Sequence, residues 1–155
     1  MKDGFIRVAA ATPLISVADC TNNADQIIAL MREADEKKAK LVVFPELCLT
    51  GYTCGDLFTQ DVLLKAAKDA LIKIAEYTEN KDILAFVGAP LSVGGKLYNV
   101  AAAMNQGKVI GLTTKTFLPN YAEFYEMRQF TPGPDTAGYI EFNGQRVPFG
   151  PQLLF

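Results

Sequence analysis

The sequence contains no histidine. Its absence excludes every histidine-based triad, histidine-ligated zinc and the H-E-x-x-H proteases from this chain. Cysteine is scarce: Cys20, Cys48 and Cys54 are odd in number and show no C-x-x-C spacing. A disulfide framework or a structural zinc site is therefore disfavoured, and a reducing compartment is favoured. Neither sign of charge dominates, with 15 Lys and Arg against 17 Asp and Glu. Without a basic stripe or an acidic tail, the chain has no electrostatic footprint for nucleic acid or anionic lipid. No apolar run is long enough to span a membrane, and the first residues lack the layout of a signal peptide. The expectation is a soluble cytoplasmic protein with no nucleic-acid or membrane partner. Nucleotide fingerprints are missing too. Gly94-Gly95-Lys96 approaches a phosphate loop, but Pro90 stands where that motif needs glycine and Leu97 where it needs Ser or Thr. It reads as a hairpin turn.

What is present is ordinary globular composition, half hydrophobic and 21% charged, over 155 residues. That is enough for one domain with a real core. Residues 5–11 read as a first strand. Asn22 and Asn23 are good N-caps, and Ile27, Met31 and Ala34 recur at helical spacing, which predicts a helix over 23–40. The apolar run 41–44 then reads as a buried strand. Strand, crossover helix and strand form the parallel unit of an α/β sheet. A loop after Tyr52 tightens into a second helix, with Leu63, Ala67, Ala70, Leu71 and Ile74 on one face as far as Tyr77. Residues 83–87 read as a strand closed by Gly88 and Pro90. Gly94-Gly95 and Gln106-Gly107 are turns around 97–104, and 108–114 completes an antiparallel meander. A long aromatic loop follows over 115–126, then short strands over 139–142 and 151–155. The fold class is α/β, a mixed α+β sheet with helices on one face.

Three residues are candidates for chemistry: Glu46, Lys115 and Glu126. Pro45 stops the ladder of the 41–44 strand, and Glu46 follows at its carboxyl end. In open α/β sheets ligands usually sit at that end. Lys115 stands at the end of another strand. Side by side, each keeps the other ionised. Glu46 can then act as a general base, and Lys115 can stabilise a negative oxygen. Glu126 can accept from a substrate amine or hold Lys115. A surface salt bridge of little energetic consequence accounts for the spacing as well. Tyr52, Phe117, Tyr121, Phe124 and Tyr125 can line a pocket, though ordinary packing suits Phe117 and Phe124 better. Simple burial is the default for the three thiols.

Two blocks carry a family resemblance: Val42-Val43-Phe44-Pro45-Glu46-Leu47 and Lys115-Thr116-Phe117-Leu118-Pro119-Asn120-Tyr121. They resemble the nitrilase, or carbon–nitrogen hydrolase, superfamily. The resemblance implies a four-layer α-β-β-α sandwich and hydrolysis of amides or nitriles by a Glu, Lys and Cys triad. Glu46 matches its general base, Lys115 its lysine and Glu126 the carboxylate that follows. The run from Glu46 to Tyr52 with Gly55-Asp56-Leu57, and the run from Pro119 to Phe130 with Thr131-Pro132-Gly133, are similar to one branch of it. That branch is the glutaminase domains of glutamine-dependent NAD synthetases. The branch implies glutamine as substrate, with Tyr121, Glu126 and Tyr52 binding it. It implies no cofactor or metal in this domain, ATP and magnesium in a synthetase domain beyond it, and a homo-oligomer. It also implies a nucleophilic cysteine downstream of the residues present, so the expectation is a domain over 1–155 that is incomplete at its C-terminal end. Another amidase of the superfamily, or a non-catalytic scaffold, are the alternatives.

Overall fold

The computed structural model describes residues 4–155; residues 1–3, part of the stretch read above as lacking a signal peptide, lie outside them. Among the described residues one sheet has seven strands, β1 (Val8–Ala10), β2 (Leu41–Val43), β3 (Leu84–Val93), β4 (Lys96–Asn105), β5 (Lys108–Thr114), β6 (Gly138–Phe142) and β7 (Gln145–Gly150), in the order β1-β2-β3-β4-β5-β7-β6. Strands β1, β2 and β3 are parallel. Then β3, β4 and β5 form the expected antiparallel meander. Strand β7 runs parallel to β5 and antiparallel to β6, so the sheet is mixed. The helices are α1 (Cys20–Glu36), α2 (Asp61–Tyr77) and the short α3 (Glu126–Gln129). A kinked 3-10 stretch, Tyr52–Thr59, precedes α2.

The buried stripe of α2 consists of Leu63, Ala67, Ala70, Leu71, Ile74 and Ala75, the face that the 3.6-residue period marks. Helix α1 differs from expectation at both ends. Its cap is Asp19, whose carboxylate accepts from the Asn22 N–H at 3.0 Å. Asn23 is instead fully buried, bonded to the Ser16 N–H at 2.7 Å, the Ser16 carbonyl at 2.8 Å and the Leu49 carbonyl at 3.0 Å. A side chain with tertiary partners serves the core rather than the cap. The helix stops at Glu36, before the expected Lys40, because Lys38 turns left-handed at φ 62°. Helices α1 and α2 lie side by side, and their buried faces join Val42, Ala85, Val87, Ala102 and Leu112 in one core.

Strand β3 runs through Gly88 and Pro90 rather than ending at Val87. Strand β2 reaches only as far as Phe86, so the far side of β3 has no ladder beyond it. Pro90 pairs with Asn99, whose carbonyl turns to the Lys115 N–H on the other side of β4. The missing proline N–H therefore breaks no bond with β4. The last strand also differs: β7 ends at Gly150, and residues 151–155 form no strand. Pro151 cannot donate to a ladder. The tail crosses the sheet face opposite the helices, where the Phe155 ring meets Phe86 edge-on at 5.3 Å. Among the described residues no helix is long and apolar enough to cross a membrane.

Candidate active site

Glu46 sits on a tight turn beyond β2. Phe44 still pairs with β3, its N–H bonded to the Phe86 carbonyl at 2.9 Å. After Pro45 the chain folds back: the Gly51 N–H reaches the Leu47 carbonyl at 2.8 Å, and Leu47 itself is left-handed at φ 49°. Leu47 and Leu49 are fully buried and anchor the turn, while the Leu49 N–H bonds the Gly88 carbonyl at 3.2 Å. Gly88 makes this approach possible. A Cβ there would lie 2.5 Å from the Pro45 carbonyl oxygen and the Leu47 nitrogen, and 2.8 Å from the Glu46 Cα. Those are backbone atoms, so the turn itself would have to move. Gly88→Ala is therefore expected to destabilise the fold by about 1–3 kcal/mol and to displace Glu46. Chemical denaturation reads the first effect; an unchanged midpoint would mean that the turn has slack.

Lys115 begins where β5 ends. Its N–H donates to the Asn99 carbonyl and its own carbonyl accepts from the Gly133 N–H, both at 2.9 Å. Its ammonium reaches Glu46 Oε1 at 2.7 Å and Glu126 Oε1 at 2.8 Å. Glu126, the first residue of α3, is buried, and the Tyr52 hydroxyl donates to its Oε1 at 2.7 Å. Its Oε2 is buried without a hydrogen-bond partner. The three residues singled out from the sequence thus meet at one point, with the ammonium between two carboxylates.

Burial works to lower the Lys115 pKa, but hydrogen bonds to Glu126 and Glu46, together with their charges, outweigh it and the net shift is upward. Lys115 therefore stays cationic. Burial, the bond to Glu126 and the nearby carboxylate charges all push Tyr52 well above the usual phenol range, so it stays a neutral donor. Burial pushes the Cys48 thiol to about 11. Its sulfur lies 3.7 Å from the Gly88 carbonyl.

The aromatic loop reaches the site through a chain of edge-on rings. Tyr121 meets Phe124 at 5.7 Å, and Phe124 meets Tyr52 at 6.5 Å. Tyr121 is thus linked to the cluster through two ring contacts and makes no hydrogen bond to its charged groups among the described residues. Tyr125 is exposed, as is Phe117, for which packing was expected. Phe117 follows the end of β5 in a loop without regular structure, and no core lies above it. An open hollow of about 290 Å³, lined by Phe86, Gly88, Asn99, Thr113 and both Glu46 and Lys115, leads to the charged cluster.

Two residues of the site escaped the sequence reading. Gly88 looked like the end of a strand. Asn99 donates from Nδ2 to Glu46 Oε1, yet it lies in the middle of β4. The signal that could have found it is an amide set inside the apolar run of a strand, which propensity disfavours unless the amide has a partner.

Comparison with known proteins places the chain in a family. A family model described as carbon-nitrogen hydrolase matches residues 7–151. The chain is 41% identical over 154 residues to a glutamine-dependent NAD(+) synthetase from Mycobacterium leprae, covering 99% of this chain and 23% of that protein. It thus spans about a quarter of the length of such relatives. A crystal structure of a glutamine-dependent NAD(+) synthetase from Cytophaga hutchinsonii superposes with a TM-score of 0.87 at 32% identity, over 93% of this chain and 25% of that one. An amidase from Nesterenkonia sp. shares the fold at a TM-score of 0.70 and 23% identity, over 92% of this chain and 54% of that one. The family match runs along nearly the whole sequence, and the chain belongs to the carbon–nitrogen hydrolase family.

Proposed function

We propose that this chain supplies the general base and the oxyanion-stabilising ammonium of a glutamine amide hydrolase, whose ammonia feeds the ATP-dependent amidation of deamido-NAD to NAD. The observation that carries this reading is the Lys115 ammonium held by Glu46 and Glu126 at 2.7 and 2.8 Å. Glu46 accepts hydrogen bonds only on Oε1 among the described residues, which leaves Oε2 free for a proton. In this mechanism Glu46 takes the proton of an attacking thiol and Lys115 faces the oxygen that becomes negative. Glu46 then passes the proton to the departing ammonia. Glu126, bonded in turn by the Tyr52 hydroxyl, holds Lys115 on its other side, and Tyr121 borders the glutamine. The thiol comes from a cysteine beyond this segment, and ATP and magnesium belong to a synthetase domain beyond it. The names and greater lengths of the relatives support that division. The same reading implies a cytoplasmic homo-oligomer.

The test uses the longer polypeptide in which this segment continues. Lys115→Met is expected to cut glutamine-driven NAD formation by about 10²–10³-fold, the scale of a lost oxyanion contact, while free ammonia still supports synthesis. Loss of both activities would assign Lys115 to the fold instead.

A further inference from the structure

We infer that Asn99 is a positioning residue that fixes which oxygen of Glu46 serves as the base. The inference rests on the assignment of Glu46 above and adds what aims it. Asn99 lies in β4 between Tyr98 and Val100 and is only 4% exposed. Burying an amide is costly without a partner. Its partner is Glu46 Oε1, reached from Nδ2 across 53 positions of sequence. The opposite orientation would set the amide oxygen against a carboxylate, so the donor must face Glu46. Lys115 Nζ donates to that same oxygen at 2.7 Å. Two donors, one in β4 and one just past the end of β5, converge on Oε1 and oppose rotation of the carboxylate. Oε2 is left without a partner among the described residues, and Glu46, Asn99 and Lys115 all line the same hollow. Lys115 alone would not do this, since the Glu46 side chain is 42% exposed on a turn and a single donor lets the two oxygens exchange. Asn99 acts a second time through its main chain, whose carbonyl holds the Lys115 N–H at 2.9 Å. One residue thus sets both members of the pair.

The test compares Asn99→Asp and Asn99→Ala with Glu46→Gln in the longer polypeptide. Both Asn99 variants are expected to lower kcat for glutamine about 10- to 100-fold, the scale of a misplaced reacting group, with little change in KM. Asn99→Asp should be the worse, because it sets a second carboxylate against Glu46. A residue that only fills space ranks the other way, since Asp keeps the shape of Asn and Ala leaves a void. Wild-type kcat in both variants, a change confined to KM, or Ala below Asp would each overturn the inference. If Glu46→Gln still hydrolyses glutamine, the base assignment itself fails. A readout free of activity uses the 155-residue chain: the Asn99 side-chain amide signals in a ¹H–¹⁵N spectrum should move on Glu46→Ala, and unmoved signals would overturn the contact.

Discussion

In the longer polypeptide of the proposed function, Glu46→Gln is expected to lower glutamine-driven turnover by about 10²–10⁴-fold, the range that a positioned general base contributes. Stability and ammonia-driven synthesis should be nearly unchanged. The substitution is close to isosteric. A glutamine carbonyl can still accept from Lys115 and from Asn99 where Glu46 Oε1 does now. What disappears is a lone pair basic enough to take a proton. Removing this charge strands no buried partner, because Glu46 is 42% exposed on its side chain and Lys115 keeps Glu126. The change in stability should therefore stay within about 1 kcal/mol, as for a partly exposed ion pair. Steady-state rates with glutamine and with ammonium chloride, beside a urea midpoint, separate the two effects. A fall in both rates with an unchanged midpoint would remove Glu46 from the proton-transfer role. A collapsed midpoint would make it a fold residue.

The contrast with Glu126 shows why the two carboxylates are not interchangeable. Glu126 is buried, and its Oε1 accepts from both Lys115 and Tyr52. Such a group orders its neighbours, whereas a half-exposed carboxylate with a free oxygen can exchange protons. The difference comes from the elements that carry them. Glu46 stands on a turn at the rim of the sheet, and Glu126 starts a helical turn at the end of the aromatic loop.

Local signals marked the groups that perform chemistry better than the groups that hold them. Pro45 and Glu46 were legible because a strand of Leu41 to Val43 has to end somewhere, and proline ends it. Lys115 was legible for the same reason at the end of β5. The meander was legible from Gly94-Gly95 and Gln106-Gly107, both of which are left-handed turns in the structure. Asn99 and Tyr52 were not legible in their holding roles, because their partners lie 53 and 74 positions away and leave no mark on local periodicity. Pro90 misled for a physical reason. A proline stops a strand only where its N–H would have joined a ladder, and here that side of β3 is unpaired. The cap of α1 misled likewise. Asp19 and Asn23 are both capping residue types, and only the buried contacts of Asn23 with Ser16 and Leu49 decide between them.

The 155-residue chain is expected to release no ammonia from glutamine above the uncatalysed background. Amide hydrolysis by this route needs a thiolate to attack the carbonyl; a base and an ammonium only assist it. The chain has three thiols, and all of them are buried. Cys48 stands two residues from Glu46 and was the candidate to examine. Its side chain points into the core, 2% exposed, and its sulfur faces the Gly88 carbonyl. Burial pushes its pKa to about 11, so almost no thiolate exists near neutral pH. Cys54 faces the Thr50 carbonyl at 3.1 Å, and burial raises its pKa as well. Cys20 opens α1, and its thiol is also pushed to about 11, first by burial and then by neighbouring negative charge. None of them hydrogen-bonds to Glu46 or Lys115, and attack needs convergence to about 3–3.5 Å on a bound carbonyl. Cys48→Ser should therefore change nothing in an ammonia-release assay of this chain. Extending the polypeptide to include a downstream cysteine should bring activity that depends on Glu46. Ammonia release by the 155-residue chain that Cys48→Ser abolishes would overturn the assignment and make Cys48 the nucleophile.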